Sequence, residues 1–292
     1  MKKYFLFLLS VISVAAFGQQ KMISQAIITT KTTIIVPEGE EDNMVPPPPS
    51  GDGQQVRIMS FGGAGETVAT TYLKNDLVKT VIKTDMANTT TIRDNTQKKT
   101  TTLMEMMGRR TGFYATDEDM EQSRKRMDSM MQSRGGDATR TASAPASVEV
   151  VNAEGTKKIG GYECKKALVI STRTKNMLSS DGKLTQVNTA DTSVVWYTPE
   201  FKLQGLSSTG GMGGAFSFGR SSGLGGLDKI DGFPMQYEMK MQRGRKMVVE
   251  VTKIETNKEV KDKEFEIPKD FDLKSMKDMQ GPGGNFQMRI GG

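Results

Sequence analysis

Apolar and polar residues alternate with a period of two over much of the chain, and the cleanest run is Pro234 to Gln242. There Met235, Tyr237, Met239 and Met241 share one side, and Gln236, Glu238, Lys240 and Gln242 share the other. Period two with one apolar side predicts a half-buried strand. A turn at Arg243-Gly244 leads into Lys246 to Glu255, where Met247, Val249 and Val251 continue the apolar side. A second run follows Gly160-Gly161: Tyr162, Cys164, Leu168 and Ile170 fall on one face, while Ala167 and Val169 cover the far end of the other. This pattern predicts a central strand with antiparallel neighbours. Phe265 and Ile267, before Pro268, are expected to close the sheet.

The remaining pattern divides the chain. Residues 19–36 read as a first strand rich in Ile and Thr, and 37–65 as a flexible insertion with PPPP at Pro46 to Pro49. Glu66 to Met104 predicts four strands with turns at Asn75-Asp76, near Asn88 and at Asn95-Thr96, their Thr content suiting a pleated surface. After Gly108 the period changes. Thr116 or Asp117 caps a helix running to Arg134, with Met120, Met127, Met130 and Met131 at helical spacing. A Ser/Ala/Thr linker occupies 137–147, strands are expected at Thr192 to Thr198 and Phe201 to Leu206, and Gly205 to Gly226 reads as a loop. The main domain spans 66–273, and residues 274–292 form a disordered tail.

Composition narrows the chemistry. Lys2 and Lys3, the apolar stretch Tyr4 to Phe17 and the small residues Ala16 and Gly18 make residues 1–18 a secretory signal peptide. Gln19 and Gln20 stand where a lipoprotein needs cysteine, so the expected product is soluble, periplasmic or secreted, with no transmembrane segment after cleavage. The two leader lysines account for the drop from a net charge of +6 to +4. That mild, scattered charge calls for no nucleic-acid partner. The chain has no histidine and one cysteine, which excludes Ser-His-Asp and Cys-His catalysis, His-ligated zinc and an internal disulfide. The glycines of Gly210 to Gly226 lack phosphate-loop spacing. No cofactor is expected and the chain reads as non-enzymatic. Methionine is the unusual residue, 21 in all. Its thioethers at Met104, Met106 and Met107, and at Met239 and Met241, would suit copper(I) in an oxidising compartment or an adaptable apolar lining.

The segments I-G-G-Y-E-C-K-K-A (Ile159 to Ala167), V-W-Y-T (Val195 to Thr198), P-M-Q-Y-E (Pro234 to Glu238) and F-E-I-P (Phe265 to Pro268) resemble a family of secreted Gram-negative proteins known as a domain of unknown function. That family is similar to periplasmic lipoprotein carriers and outer-membrane lipoprotein receptors (LolA/LolB-like). The resemblance implies an α+β fold: a curved antiparallel sheet, an incomplete barrel, with one or a few helices over its concave apolar face. Roughly ten strands are expected, with Asp117 to Arg134 lying across the mouth. Such a cavity would take a lipid, acyl chain or lipidated peptide, lined by Trp196, Met235, Tyr237, Met239 and Met241, with Met120 and Met127 from the helix. The alternative is a closed core in a structural or interaction module that docks an envelope protein through 37–65 and 205–226. Copper(I) binding stands third.

Overall fold

The computed structural model describes residues 20–37, 65–84, 87–133, 147–178, 184–205, 227–241 and 244–278. The leader at 1–18, nearly all of the insertion, the linker, the Gly-rich stretch 206–226 and the tail beyond residue 278 lie outside the described residues.

Strand β1 (Lys21–Ile23) and the long β2 (Gln25–Ile35) open the fold. In β2, Ala26, Ile28, Thr30 and Thr32 are buried in strict alternation, which is how an Ile/Thr run buries one side of a sheet. A meander follows: β3 (Gly65–Lys74), β4 (Leu77–Lys83), β5 (Ala87–Asp94), β6 (Lys99–Met106) and β7 (Arg109–Thr116). Buried threonines are satisfied within it, Thr71 and Thr80 sharing a hydroxyl hydrogen bond of 3.1 Å across β3 and β4. Strand β7 has no counterpart in the alternation read from sequence. It is reached through Met107 and Gly108, both in the left-handed region, the geometry of a tight hairpin.

The helix α1 (Asp117–Ser133) starts directly from β7. A reciprocal box caps it: Asp119 N donates to Thr116 Oγ1 at 3.2 Å, and Thr116 N donates to Asp119 Oδ2 at 3.0 Å. The second half holds β8 (Ser147–Ile159), β9 (Tyr162–Leu178), β10 (Leu184–Thr198), β11 (Phe201–Leu203), a short 3-10 turn (Leu227–Lys229), β12 (Phe233–Lys240) and β13 (Lys246–Glu255). A 3-10 turn (Asp262–Phe265) and β14 (Asp272–Ser275) complete it.

Twelve strands join one sheet in the order β14-β7-β6-β5-β4-β3-β2-β13-β12-β10-β9-β8, and β1 pairs with β11 in a separate ribbon. Pairing is antiparallel except in β1–β11 and β14–β7. The sheet is open, with β14 and β8 at its ends, so the architecture is α+β, mostly β, with a single helix among the described residues. Three register breaks, at Ala153/Thr156, Trp196/Tyr197 and Val251/Lys253, interrupt its second half. Such bulges bend a strand and add local twist.

Several expectations change here. The strand after Gly160-Gly161 is β9, which stands beside the edge strand β8 and not at the centre of the sheet. Phe265 and Ile267 do not close it, since Phe265 ends a 3-10 turn and Ile267 lies exposed; β14 takes the edge. Lys274 and Ser275, read as tail, belong to β14, and the described chain continues through a turn to residue 278. Strand β1, β11 and their parallel pairing give a two-stranded layer on the large sheet: Ile23, Phe201 and Leu203 share one buried cluster with Ala26, Ile28, Leu73 and Val78.

Candidate functional site

The site anticipated from sequence is the apolar side of β12 and whatever faces it. Register places Tyr237 opposite Val195 of β10 and Val249 of β13, and these lie opposite Ala167 and Thr32 respectively. Directly opposite residues share a face, so Ala167, Val195, Tyr237, Val249 and Thr32 form one row across five strands. Their exposures are 0, 0, 2, 2 and 7%. Met239 lies opposite Met247 one step along, at 8 and 3%. Ile230 and Leu227, from the turn before β12, pack on the same cluster, and Met241 lies half-buried at its margin. Lys229 Nζ ties that turn to β8 by donating to the Val148 carbonyl at 2.7 Å. Side chains this little exposed are packed on all sides by neighbouring atoms. Burial also pushes the Tyr237 phenol far up.

Met235 does not share that row. The register passes from Trp196–Gln236 to Tyr197–Pro234, leaving Met235 as the extra residue of a bulge. Its side chain, fully buried, joins the other cluster with Cys164, Ile159, Phe201 and Phe233. Gly160, at φ 56°, clears the way: a Cβ there would come within 3.2 Å of Met235 Cε. In this cluster Tyr162 meets Phe201 edge to face and Phe201 stacks on Phe233, with centroids 5.2 and 5.4 Å apart. Cys164 is a free, buried thiol whose pKa burial raises, which keeps it inert.

Trp196 lies opposite Gln236 and Lys166, on the polar side of the sheet, and reaches the Met235 cluster only in part. Lys157 and Lys166 stand over its ring, Nζ to centroid 4.5 and 5.9 Å, and Lys157 Nζ also donates to Gln236 Oε1. Gly155, at φ 126°, closes against the indole. The indole is therefore lined by lysine stems and a glycine.

The helix does not bring Met120 to either cluster. Met120 is 40% exposed and belongs to neither, and the Met127 side chain lies outside the described residues. The first turn of α1 is held at the β7 end of the sheet instead. Arg93 of β5, a buried guanidinium, donates two bonds to Asp117, at 2.6 and 2.8 Å, one to Thr100 at 3.2 Å and one to Asn95 Oδ1 at 3.1 Å. This bidentate pair raises the Arg93 pKa and lowers that of Asp117. Asp119 accepts from Lys277 Nζ at 2.6 Å as well as from its own cap. Those bonds hold its carboxyl down at about 2. Its folded-state pKa is depressed, so the cap's contribution is complete above the ordinary value of 3.8 and is lost as pH falls through about 2. Following the Asp119 side-chain carboxyl by NMR across this window is expected to give a midpoint near 2 in the wild type, moving toward 3.8 in Lys277→Met. Between α1 and the turn at Met276 and Lys277 lies only a recess lined by Asp119, Gln122, Ser123 and Arg126.

The thioethers proposed for copper(I) are separated. Met239 and Met241 pack into or against the Tyr237 cluster, while Met106 and Met107 lie at 43 and 85% exposure on β6 and its turn. Among the described residues no three His, Cys, Asp or Glu side chains converge as metal ligands, and no helix is long and apolar enough to cross a membrane.

Sequence reading missed the Arg93–Asp117 pair and the β7–α1 junction. Alternation gave no signal for the pair, since Arg93 directly follows the apolar Ile92 in β5. No curated protein matches the chain. Residues 219–271, which include β12, β13 and the 3-10 turn after them, match a domain of unknown function (DUF4412), and the chain is similar to that family over this segment.

Proposed function

We propose that this chain is a non-enzymatic protein of the bacterial envelope, exported through its leader, that works by docking a protein partner and has a closed core. The observation supporting this reading is the buried row Ala167-Val195-Tyr237-Val249-Thr32, with Met239 beside it. An acyl chain needs a lined void, and of the side chains nominated to line one Tyr237 and Met239 are packed in one buried cluster and Met235 in another. The incomplete barrel of the lipoprotein carriers enters as a comparison of architecture: here the open sheet keeps its apolar side occupied by β1, β11 and residues 227–230.

The surface suited to docking is the edge strand β8. It pairs with β9 alone among the described residues and is exposed along most of its 13 residues, Val151 at 38% included. An unpaired edge offers a ladder of backbone donors and acceptors to an extended segment of another protein. The insertion 37–65 and the stretch 205–226 are further contact sites proposed on sequence grounds. A fluorescent fatty acid titrated into the exported chain tests the closed core. The expected result is no saturable signal; a saturable rise that unlabelled palmitate reverses would restore the carrier reading.

A further inference from the structure

After β13 the chain runs back across the first half of the sheet, and residues 256–278 are held there by two apolar anchors and a set of ion pairs. Val260 is buried at 1% exposure and anchors the start. Leu273 anchors the end: its side chain lies where β7 has only Gly112, and a Cβ on Gly112 would stand 3.1 Å from Leu273 Cδ1 and 2.8 Å from Leu103 Cδ2. Between them, residues 266–270 are all exposed.

The side-chain tethers to the sheet and to α1 are ion pairs. Lys74 holds Asp262 at 2.6 Å, Lys79 holds Glu264 at 3.4 Å, Arg110 holds Asp270, and Asp119 holds Lys277 at 2.6 Å. The ladder they support is only four residues long and parallel, whereas β10 pairs with β9 over fourteen antiparallel positions. Parallel pairing is the weaker per residue. Charges at exposed positions are screened as the Debye length falls from about 30 Å at 0.01 M salt to about 3 Å at 1 M. Apolar burial and antiparallel ladders do not share that dependence.

We propose that residues 256–278 form a salt-sensitive strap that covers and uncovers the edge of β7, and that the uncovered edge accepts an extended protein segment bearing an apolar side chain for the slot beside Gly112. The chain's own β14 shows what such an occupant looks like, with Leu273 inward and Asp272 and Lys274 exposed on the other side. Strand β7 offers eight residues, of which β14 pairs with four, Thr111 to Tyr114, so a longer strand would gain ladder bonds that β14 does not make. This deepens the docking function proposed above and rests on it.

Hydrogen exchange on the full exported chain at 20 mM and 1 M NaCl tests the strap. The amides of Leu273 to Met276 are expected to exchange about tenfold faster at high salt, as the ion pairs that tether the strap are screened together, while the β2–β13 ladder holds its rates. The triple variant Asp262→Asn, Glu264→Gln, Asp270→Asn changes exposed or half-buried carboxylates only. With three of the four pairs removed and Asp119–Lys277 kept, it should show at 20 mM most of the acceleration that the wild type shows at 1 M. Strap amides indifferent to salt, or rising together with the β2–β13 ladder, overturn the strap. A labelled peptide of residues 268–278 should bind the triple variant at least about ten times more tightly than the wild type at 20 mM NaCl, because the intramolecular competitor is weakened; equal binding overturns the acceptor edge. Neither failure touches the closed core, which the fatty-acid titration judges separately.

Discussion

Tyr237→Ala is expected to lower the stability of the fold by about 3–5 kcal/mol, the range for removing a large aromatic side chain from a packed interior. Among the described residues Tyr237 is the largest fully buried side chain, with Val195 and Val249 directly opposite on the neighbouring strands and Ile230 in the same cluster. Its removal leaves a cavity walled by strands that their ladders hold in place, so the site collapses little. The carrier reading gives a different number. A tyrosine fronting an open acyl cavity already lacks packing on one side, and its truncation would forfeit only part of that energy. Urea denaturation with an unchanged m-value measures the difference. A loss under about 1 kcal/mol would indicate that the side chain faces space.

The second large effect is expected at Gly205. It sits at φ 79°, a region that costs other residues roughly 1–2 kcal/mol. A Cβ there would also run into the carbonyl oxygen of Asn75 in the β3–β4 turn. The same short segment accepts a bond from Asn95 Nδ2 at 2.8 Å, and Gln204 N donates to the Ile23 carbonyl at 2.9 Å, so the end of β11 is fixed to two turns and to β1. Gly205→Ala therefore adds overpacking, about 1–3 kcal/mol, to backbone strain. The expected total is about 2–5 kcal/mol, read as a fall in thermal midpoint. A midpoint within a degree or two of wild type would mean that β11 moves aside freely.

Much of the fold was legible because alternation is local. The Thr-rich meander from β3 to β6, the turn at Gly160-Gly161 and the β12–β13 hairpin all follow from residues two apart and from glycines that accept left-handed backbone. The helix start was legible for the same reason, since a capping box spans four residues. What was not legible depends on partners distant in sequence. Met235 reads as one of a row with Tyr237 and Met239, and only the pairing with β10 reveals that a bulge diverts it into another cluster. Trp196 reads as apolar lining, yet its register partners Gln236 and Lys166 set it on the polar side.

The helix fared differently. Met120 and Met127 lie at helical spacing and so predict an apolar stripe, but the helix is steered by its first turn. Arg93 and Lys277, one before the helix and one far beyond it in sequence, fix Asp117 and Asp119 at the β7 end of the sheet. Nothing within the helix specifies that. Strand β14 was hidden because four residues of parallel pairing leave no periodic signature. Gly205 was read as the start of a Gly-rich loop, since a glycine required by a neighbouring carbonyl looks, in sequence, like any other.

The closed core is tested most directly by native mass spectrometry of the chain, released gently from cells without detergent exchange. The account predicts the mass of the polypeptide alone. A reproducible adduct with the mass of a phospholipid, fatty acid or acylated peptide, lost on organic extraction, would contradict it.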